Sequence, residues 1–136
     1  MQNTITISQA EQRAEDYAQW FLETLPAPAR PEMTFRQNSD CADPTDGGPP
    51  GRVFASLVYQ VHDVPAGEVD NYFQAAQQWW TSHEFRVTNN WRSGDRSLRV
   101  ENTKDSFRMA LTTNDAGLMI LAADSPCVWP NGRPRG

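Results

Sequence analysis

Hydrophobic and polar positions repeat with two different periods along the chain, and the change of period separates predicted helices from predicted strands. Near the start, apolar residues recur every three or four positions until Pro26 and Pro28 prevent a helix from continuing. Ser8 and Glu11 have the spacing of a capping box, in which the serine hydroxyl accepts a hydrogen bond from the Glu11 amide. The pattern predicts a first helix from Ser8 to Thr24.

Two further segments have clear periods. From residue 52 to residue 62 apolar side chains alternate, with Val53, Leu57 and Val61 on one face, which predicts the longest strand and a central one. Residues 69–82 then return to helical spacing with an aromatic stripe. This second helix should pack through its aromatic side.

The rest of the chain reads as a meander of four short strands separated by turn residues. Their predicted bounds are Phe85 to Trp91, Leu98 to Asn102, Phe107 to Thr112 and Leu118 to Ala123. The order of elements is α-β-α-β-β-β-β. Short connections make the last four strands antiparallel neighbours. We therefore predict an α+β fold with two helices packed on one face of a mostly antiparallel sheet of four to five strands.

The chain has 136 residues, the size of one domain, which we place at residues 8–129. Residues 1–7 are predicted to be a disordered start and residues 130–136 a flexible tail. Proline, glycine and aspartate dominate residues 26–51, which predicts a long surface loop. Within that loop, residues 33–36 could form a short edge strand or a packed loop.

Two cysteines, Cys41 and Cys127, lie in turn-rich segments and not in a helical apolar stripe. A disulfide between them would join the start of the sheet to the end of the chain and would indicate an oxidising compartment. The alternative is two unrelated free thiols in a cytosolic protein. No apolar run is long enough to span a membrane, and Met1 is followed by polar residues, so any export signal was removed or never existed.

Charge narrows the choice of partners. The formal net charge is -5, and residues 1–82 carry eleven acids against four arginines, whereas residues 84–112 carry six bases against four acids. An acidic first part disfavours nucleic acid as a partner. We expect no nucleic-acid binding.

No motif for catalysis, metal or cofactor binding is present. His62 and His83 stand apart from the cysteines without the close spacing of zinc ligands, so we expect no metal site. The chain lacks a Gly-x-Ser-x-Gly nucleophile elbow, and we assign no catalytic residue. Its glycine-rich segment, residues 46–51, leads into a strand without a lysine, which disfavours a phosphate loop and predicts no cofactor.

One polar surface suggests binding. Strand alternation places four arginines of the meander on the sheet face opposite the helices, together with Thr88, Asn90 and Glu101. These four residues are Arg86, Arg92, Arg99 and Arg108. We hypothesise that this face binds an anionic surface on a partner, a glycan or a lipid head group, so the expected partner is a protein, a glycan or an anionic small ligand. The alternative is an ordinary solvated sheet face with cross-strand pairs.

A second candidate surface is aromatic. Trp79 and Trp80 are adjacent, so one helix cannot bury both equally, and Trp20 and Trp91 lie at the edges of their apolar stripes. At least one tryptophan should be partly exposed, as in sugar or protein contacts, although filling the core is the more common use. Of these residues Trp79 is our candidate ligand contact.

The layout resembles small exported proteins and lipoproteins of actinobacteria. The similarity rests on the order of elements, on Cys41 in the loop before the first strand, on Gln78-Trp79-Trp80 ending a helix before a strand, and on the closing Ser125-Pro126-Cys127. It implies a secreted or extracytoplasmic protein, with the membrane reached only through a lipid anchor upstream of residue 1. The chain departs from the pattern because it has no lipobox cysteine.

From these observations we expect a non-enzymatic extracytoplasmic binding domain whose ligand the sequence does not identify. A first alternative is an immunity or inhibitor protein whose acidic part blocks a basic effector. A second is a small hydrolase with a cone-shaped α+β fold, which would need a deep pocket lined by His62 or His83 together with an acid.

Overall fold

The computed structural model describes residues 3–25, 29–41, 51–91, 96–113 and 118–134. These residues form two α-helices, one short 3₁₀ helix and six strands. In chain order the elements are α1 (Ile7–Leu22), β1 (Arg30–Asp40), β2 (Val53–His62), the 3₁₀ helix (Ala66–Glu68), α2 (Val69–Ser82), β3 (Phe85–Asn89), β4 (Ser97–Asn102), β5 (Arg108–Thr113) and β6 (Met119–Asp124). The predicted α+β class is confirmed. Neither described α-helix has the length and apolarity to span a bilayer.

All described strands belong to one antiparallel sheet, with the spatial order β1-β2-β6-β5-β4-β3. The last four strands are consecutive neighbours, as their short connections predicted. Strand β2 lies inside the sheet, between β1 and β6, as predicted, but it is not the longest strand: β2 has 10 residues and β1 has 11. The sheet therefore begins with a long hairpin, β1–β2, and continues into the meander.

The prediction of four to five strands in the order α-β-α-β-β-β-β needs one correction: the described residues form six strands, in the order α-β-β-α-β-β-β-β. Residues 30–40, predicted to be mostly loop, form β1, which pairs with β2 from Arg30 opposite His62 to Asp40 opposite Val53. Its side chains are almost all exposed, so it lacks the apolar alternation that reveals a strand. Pro31 is tolerated because β1 is an edge strand, and the register shifts between Met33 and Phe35.

Helix α1 begins one residue earlier than predicted, at Ile7, and ends two residues earlier, at Leu22. Its N-cap is Thr6, whose hydroxyl accepts a hydrogen bond from the Gln9 amide, while the Gln9 side chain accepts one from the Thr6 amide. The capping box is therefore Thr6 with Gln9, and the proposed pairing of Ser8 with Glu11 was wrong. Both pairs have the same spacing, so spacing alone could not separate them.

Both helices cover the same face of the sheet, with α1 against β2 and β6 and α2 against β3 and β4. Three fully buried alanines, Ala10, Ala14 and Ala18, give α1 a narrow face that can approach the strands closely. Where the helices meet, Phe21 of α1 stacks on Trp80 of α2 with ring centroids 4.6 Å apart. Both rings of this aromatic pair are fully buried.

The two ends of the described chain meet. Thr4 donates its backbone N–H to the Gly132 carbonyl at 3.0 Å, and Ile7 donates to the Pro130 carbonyl at 3.2 Å. These bonds lie in the segments predicted to be a disordered start and a flexible tail. The predicted disulfide is confirmed: Cys41 is bonded to Cys127 across a sequence separation of 86.

Candidate functional site

The uncovered face of the sheet carries the predicted arginine surface in part. Arg86, Arg99 and Arg108 lie on it with exposed side chains, opposite the core residues of the same strands. Arg92 lies outside the described residues. The strand alternation that placed these side chains on one face was therefore sound for β3, β4 and β5.

Acidic neighbours reduce the positive charge of this face. Arg86 Nη2 lies 2.7 Å from Glu101 Oε2, and Arg108 Nε lies 3.9 Å from the other oxygen of the same carboxylate. Asp124 accepts a hydrogen bond from the Ser56 hydroxyl at 2.5 Å on the far side of Arg108. Within the described part of the chain, Arg99 forms no ion pair. In its described part, the arginine surface is thus largely a cross-strand ion-pair network in which Arg99 is the unpaired arginine.

A shallow depression of about 280 Å³ crosses this face beside Arg99. Its floor is formed by two small side chains, Ala110 and Ala122, which are opposite each other on β5 and β6. Thr88, Arg99, Arg108 and Asp124 also line it. Small residues in the middle of the sheet, flanked by longer side chains, account for the depression.

A larger pocket of about 390 Å³ lies on the helix side, where the end of α2 meets the turn between β4 and β5. Three aromatic side chains from both helices form its walls: Tyr17, Trp20 and Trp79. Phe85 of β3 and polar groups from the neighbouring turns complete the lining: Ser82, His83, Glu84, Asn102, Lys104 and Asp105. We call it the aromatic pocket. It brings Trp79, a ligand contact predicted from the sequence, together with residues that the sequence did not connect.

Trp20 is the most informative residue of this pocket. Its side chain is 56% exposed although it is the largest side-chain type, and its ring stands edge-on to Tyr17 with centroids 6.0 Å apart. Trp79 is half-buried and stacks on the His83 ring at 4.2 Å. The prediction that at least one tryptophan is partly exposed is confirmed. Two indole surfaces thus border one cavity from different helices.

The Tyr17 hydroxyl is held inside the pocket wall. It donates a hydrogen bond to Asp105 Oδ2 at 2.5 Å, and Arg13 lies 3.9 Å from the same oxygen. Burial, and then the hydrogen bond to Asp105, raise the pKa of Tyr17 well above its usual value. Tyr17 therefore stays neutral and fixes the position of the Asp105 turn relative to α1.

Other polar groups face the cavity in a charge-balanced arrangement. Lys104 Nζ lies 3.0 Å from Glu84 Oε1, so one cation and one anion share the rim. Asn102 uses its side-chain oxygen to accept the amides of Lys104 and Asp105, and its Nδ2 has no partner among the described residues. The pocket therefore offers amide, carboxylate and ammonium groups without a large net charge.

The histidines do not form a catalytic arrangement with the neighbouring hydroxyl. His83 Nδ1 is 2.6 Å from the Trp79 carbonyl, while the Ser82 hydroxyl donates to the Gln78 carbonyl at 2.7 Å. His62 Nε2 is 2.8 Å from Glu32 on the opposite face of the sheet. Among the described residues, no three histidines, cysteines or carboxylates gather closely enough to hold a metal ion.

Sequence reasoning did not identify Tyr17, Asp105, Asn102 or Lys104 as pocket residues. Each belongs to a different segment from Trp79, and only the packing of α1 beside the β4–β5 turn brings them together. The available signal was the position of Trp20 at the edge of the α1 stripe. Comparisons with protein-family models, with curated proteins and with solved structures find no match for this chain, so the site rests on its own geometry.

Proposed function

We propose that this protein is a non-enzymatic extracytoplasmic binding domain and that its aromatic pocket holds a saccharide. The observation that carries the proposal is the exposed Trp20 ring, which borders the same cavity as Trp79 and Tyr17. A tryptophan exposed to 56% loses most of the benefit that burial of its ring would give. A ligand that covers the ring would recover that benefit.

The chemistry of the lining favours a sugar over other small molecules. A pyranose presents a flat face of C–H groups, which suits an indole surface, and a rim of hydroxyls, which suits a few polar side chains. Asn102 and Glu84 supply a donor and an acceptor at this rim. Because Lys104 neutralises Glu84, the pocket disfavours a quaternary ammonium ligand, which an aromatic cage with unpaired acids would attract.

The extracytoplasmic part of the proposal is supported by the Cys41–Cys127 disulfide. Disulfides persist in oxidising compartments and are rare in the cytosol. This agrees with the expectation, from the layout of the chain, of an exported protein of the actinobacterial type. A glycan ligand also fits a protein that meets a cell wall or a host surface.

Two other functions have weaker support. An inhibitor of a basic effector needs exposed acids, but Glu11 and Glu15 on α1 are already paired with Arg36, at 3.5 Å for Glu15. A hydrolase needs an activated nucleophile, yet Ser82 donates to the helix backbone and not to His83. The pocket does contain His83 with Glu84 and therefore keeps hydrolysis as the competing use of the same cavity.

The test compares glycan binding by two variants, one altered in the aromatic pocket and one altered on strand β1. We expect soluble oligosaccharides from a glycan array to quench tryptophan fluorescence of the wild type, and Trp20→Ala to weaken binding by about tenfold or more, as loss of a stacked aromatic contact predicts. Phe35→Ala is the matched control, since Phe35 is 44% exposed on β1, away from the pocket.

Three outcomes would contradict the proposal. The first is an unchanged affinity of Trp20→Ala for the glycan that the wild type binds. The second is an equal loss of affinity in Trp20→Ala and Phe35→Ala, and the third is tighter binding of choline than of every glycan tested. Cleavage of the bound oligosaccharide, detected by mass spectrometry after prolonged incubation, would instead favour the hydrolase. Unchanged unfolding midpoints in both variants exclude misfolding as the cause of any loss.

A further inference from the structure

On the uncovered sheet face, side chains that are opposite each other on neighbouring strands form rows across the sheet, and two adjacent rows differ in chemistry. One row across the strands alternates in charge, from Asp124 through Arg108 and Glu101 to Arg86. The next row is apolar except at one end. Its cross-strand partners are Phe35, Val58, Ala122, Ala110 and Arg99, in that order, and Asn89 of β3 pairs with Arg99 after a register shift.

The depression described above covers this second row only at Arg99, Ala110 and Ala122, and its lining does not reach Val58 or Phe35. We call the whole row, from Phe35 to Arg99, the trough. Its apolar members lie on the solvent side of the sheet, where helices do not cover them, and Phe35 at its far end is 44% exposed. Arg99 closes the other end and has no acidic partner among the described residues. An apolar strip that ends at one unpaired guanidinium is complementary to an amphiphile with a single anionic head.

We propose that the trough binds a medium-chain carboxylate, with its head on Arg99 and its alkyl chain across Ala110 and Ala122 towards Phe35. Three strand spacings separate Arg99 on β4 from Val58 on β2, a distance of about 14 Å. The extended chain of decanoate has a comparable length. Alanines along the floor let such a chain lie against the sheet, where a longer side chain would block it.

The charge balance distinguishes a free carboxylate from a membrane surface. Arg86, Arg99 and Arg108 face Glu101 and Asp124, which leaves this part of the face with a net charge of about one positive unit. A monoanionic head matches that balance. An anionic bilayer would meet both acids as well as the arginines, so the face should not bind vesicles.

The test titrates sodium decanoate, below its micelle concentration, into the isotope-labelled wild type and follows amide shifts. Arg99→Gln should weaken binding by about tenfold or more, because it removes the charge-assisted hydrogen bonds to the head. Ala122→Met should weaken it similarly by filling the trough. Arg133→Gln is the matched control, since Arg133 is exposed in the C-terminal segment and contributes nothing to the trough.

Binding of decanoate on β4, β5 and β6 with these variant effects, and weaker binding of 1-decanol, would support the proposal. Equal affinity of wild type and Arg99→Gln would overturn it, as would preference for decyltrimethylammonium, or binding only to phosphatidylglycerol vesicles. Since Arg99 is exposed, its replacement should leave the unfolding midpoint unchanged. The readout is independent of glycan binding, so failure of either proposal leaves the other standing.

Discussion

Reduction of the Cys41–Cys127 bond is the perturbation whose effect the structure predicts most directly. Cys41 directly follows β1, the edge strand, and Cys127 precedes Val128, which forms an isolated bridge with Val53. The bond therefore fastens the exposed end of β1 to the interior of the sheet. Strand β1 pairs with β2 along one edge. Among the described residues, ion pairs of Arg36 also join β1 to helix α1.

The size of the effect follows from the loop that the bond closes. A cross-link with a sequence separation of 86 restricts the unfolded chain by about 4.6 kcal/mol at 25 °C in the loop-entropy model. With about 2.1 cal/mol/K of unfolding entropy per residue, that loss lowers the melting temperature of a 136-residue chain by about 16 °C. Because stabilities of single domains are about 5 to 15 kcal/mol, the reduced protein should be close to its folding threshold.

The assay is urea unfolding followed by tryptophan fluorescence, with and without reductant, for the wild type and for the double variant C41A/C127A. Wild type plus reductant and the double variant should agree, and reductant should leave the double variant unchanged. Hydrogen exchange should accelerate first at the β1 amides, since that strand loses its covalent attachment. A stability loss below about 1 kcal/mol would refute the reasoning, because the bond would then add little constraint to the unfolded chain.

Two further predictions concern stability. Burial raises the pKa of all three tyrosines, and for Tyr17 the hydrogen bond to Asp105 adds to this, so the unfolded chain releases these protons first. The unfolding free energy should therefore fall as pH rises above about 10, and less steeply in Tyr17→Phe, as measured by urea titrations across that range. Gly132 has φ +81° and an added Cβ would lie 3.0 Å from the Thr4 carbonyl, so Gly132→Ala should cost about 1 to 2 kcal/mol in the same assay. Gly67→Ala should cost less stability, because no atom lies within 4 Å of the added Cβ; equal losses in the two variants would contradict the strain argument.

The sequence predicted every element that buries an apolar face. Helix α2 and strand β2 were placed nearly to the residue, since their side chains alternate between the core and solvent with a clear period. Strand β1 was missed because pairing, and not burial, holds it. Its side chains point into solvent on both faces, so no periodic pattern marks it, and Pro31 argues against a strand except at an edge.

For the candidate sites, too, the sequence pattern predicted which side chains share a face but not which side chains contact each other. Alternation correctly put Arg86, Arg99 and Arg108 on one face, but it could not tell which of them Glu101 neutralises. That choice depends on register between strands, which turn lengths leave open by a residue or two. The aromatic pocket depends on how α1 packs over distant turns, and its one signal in the sequence was the position of Trp20 at the edge of the α1 stripe.

Strand β4 connects the two proposed sites. Asn102 faces the helix side and lines the aromatic pocket, whereas Arg99 faces the uncovered side and closes the trough. The strand is paired with β3 on one side and β5 on the other, so its backbone cannot shift without breaking two ladders. Occupancy of one site should therefore not be transmitted to the other through β4. A rigid strand with different chemistry on its two faces would let the two proposed ligands, a saccharide and a carboxylate, bind independently.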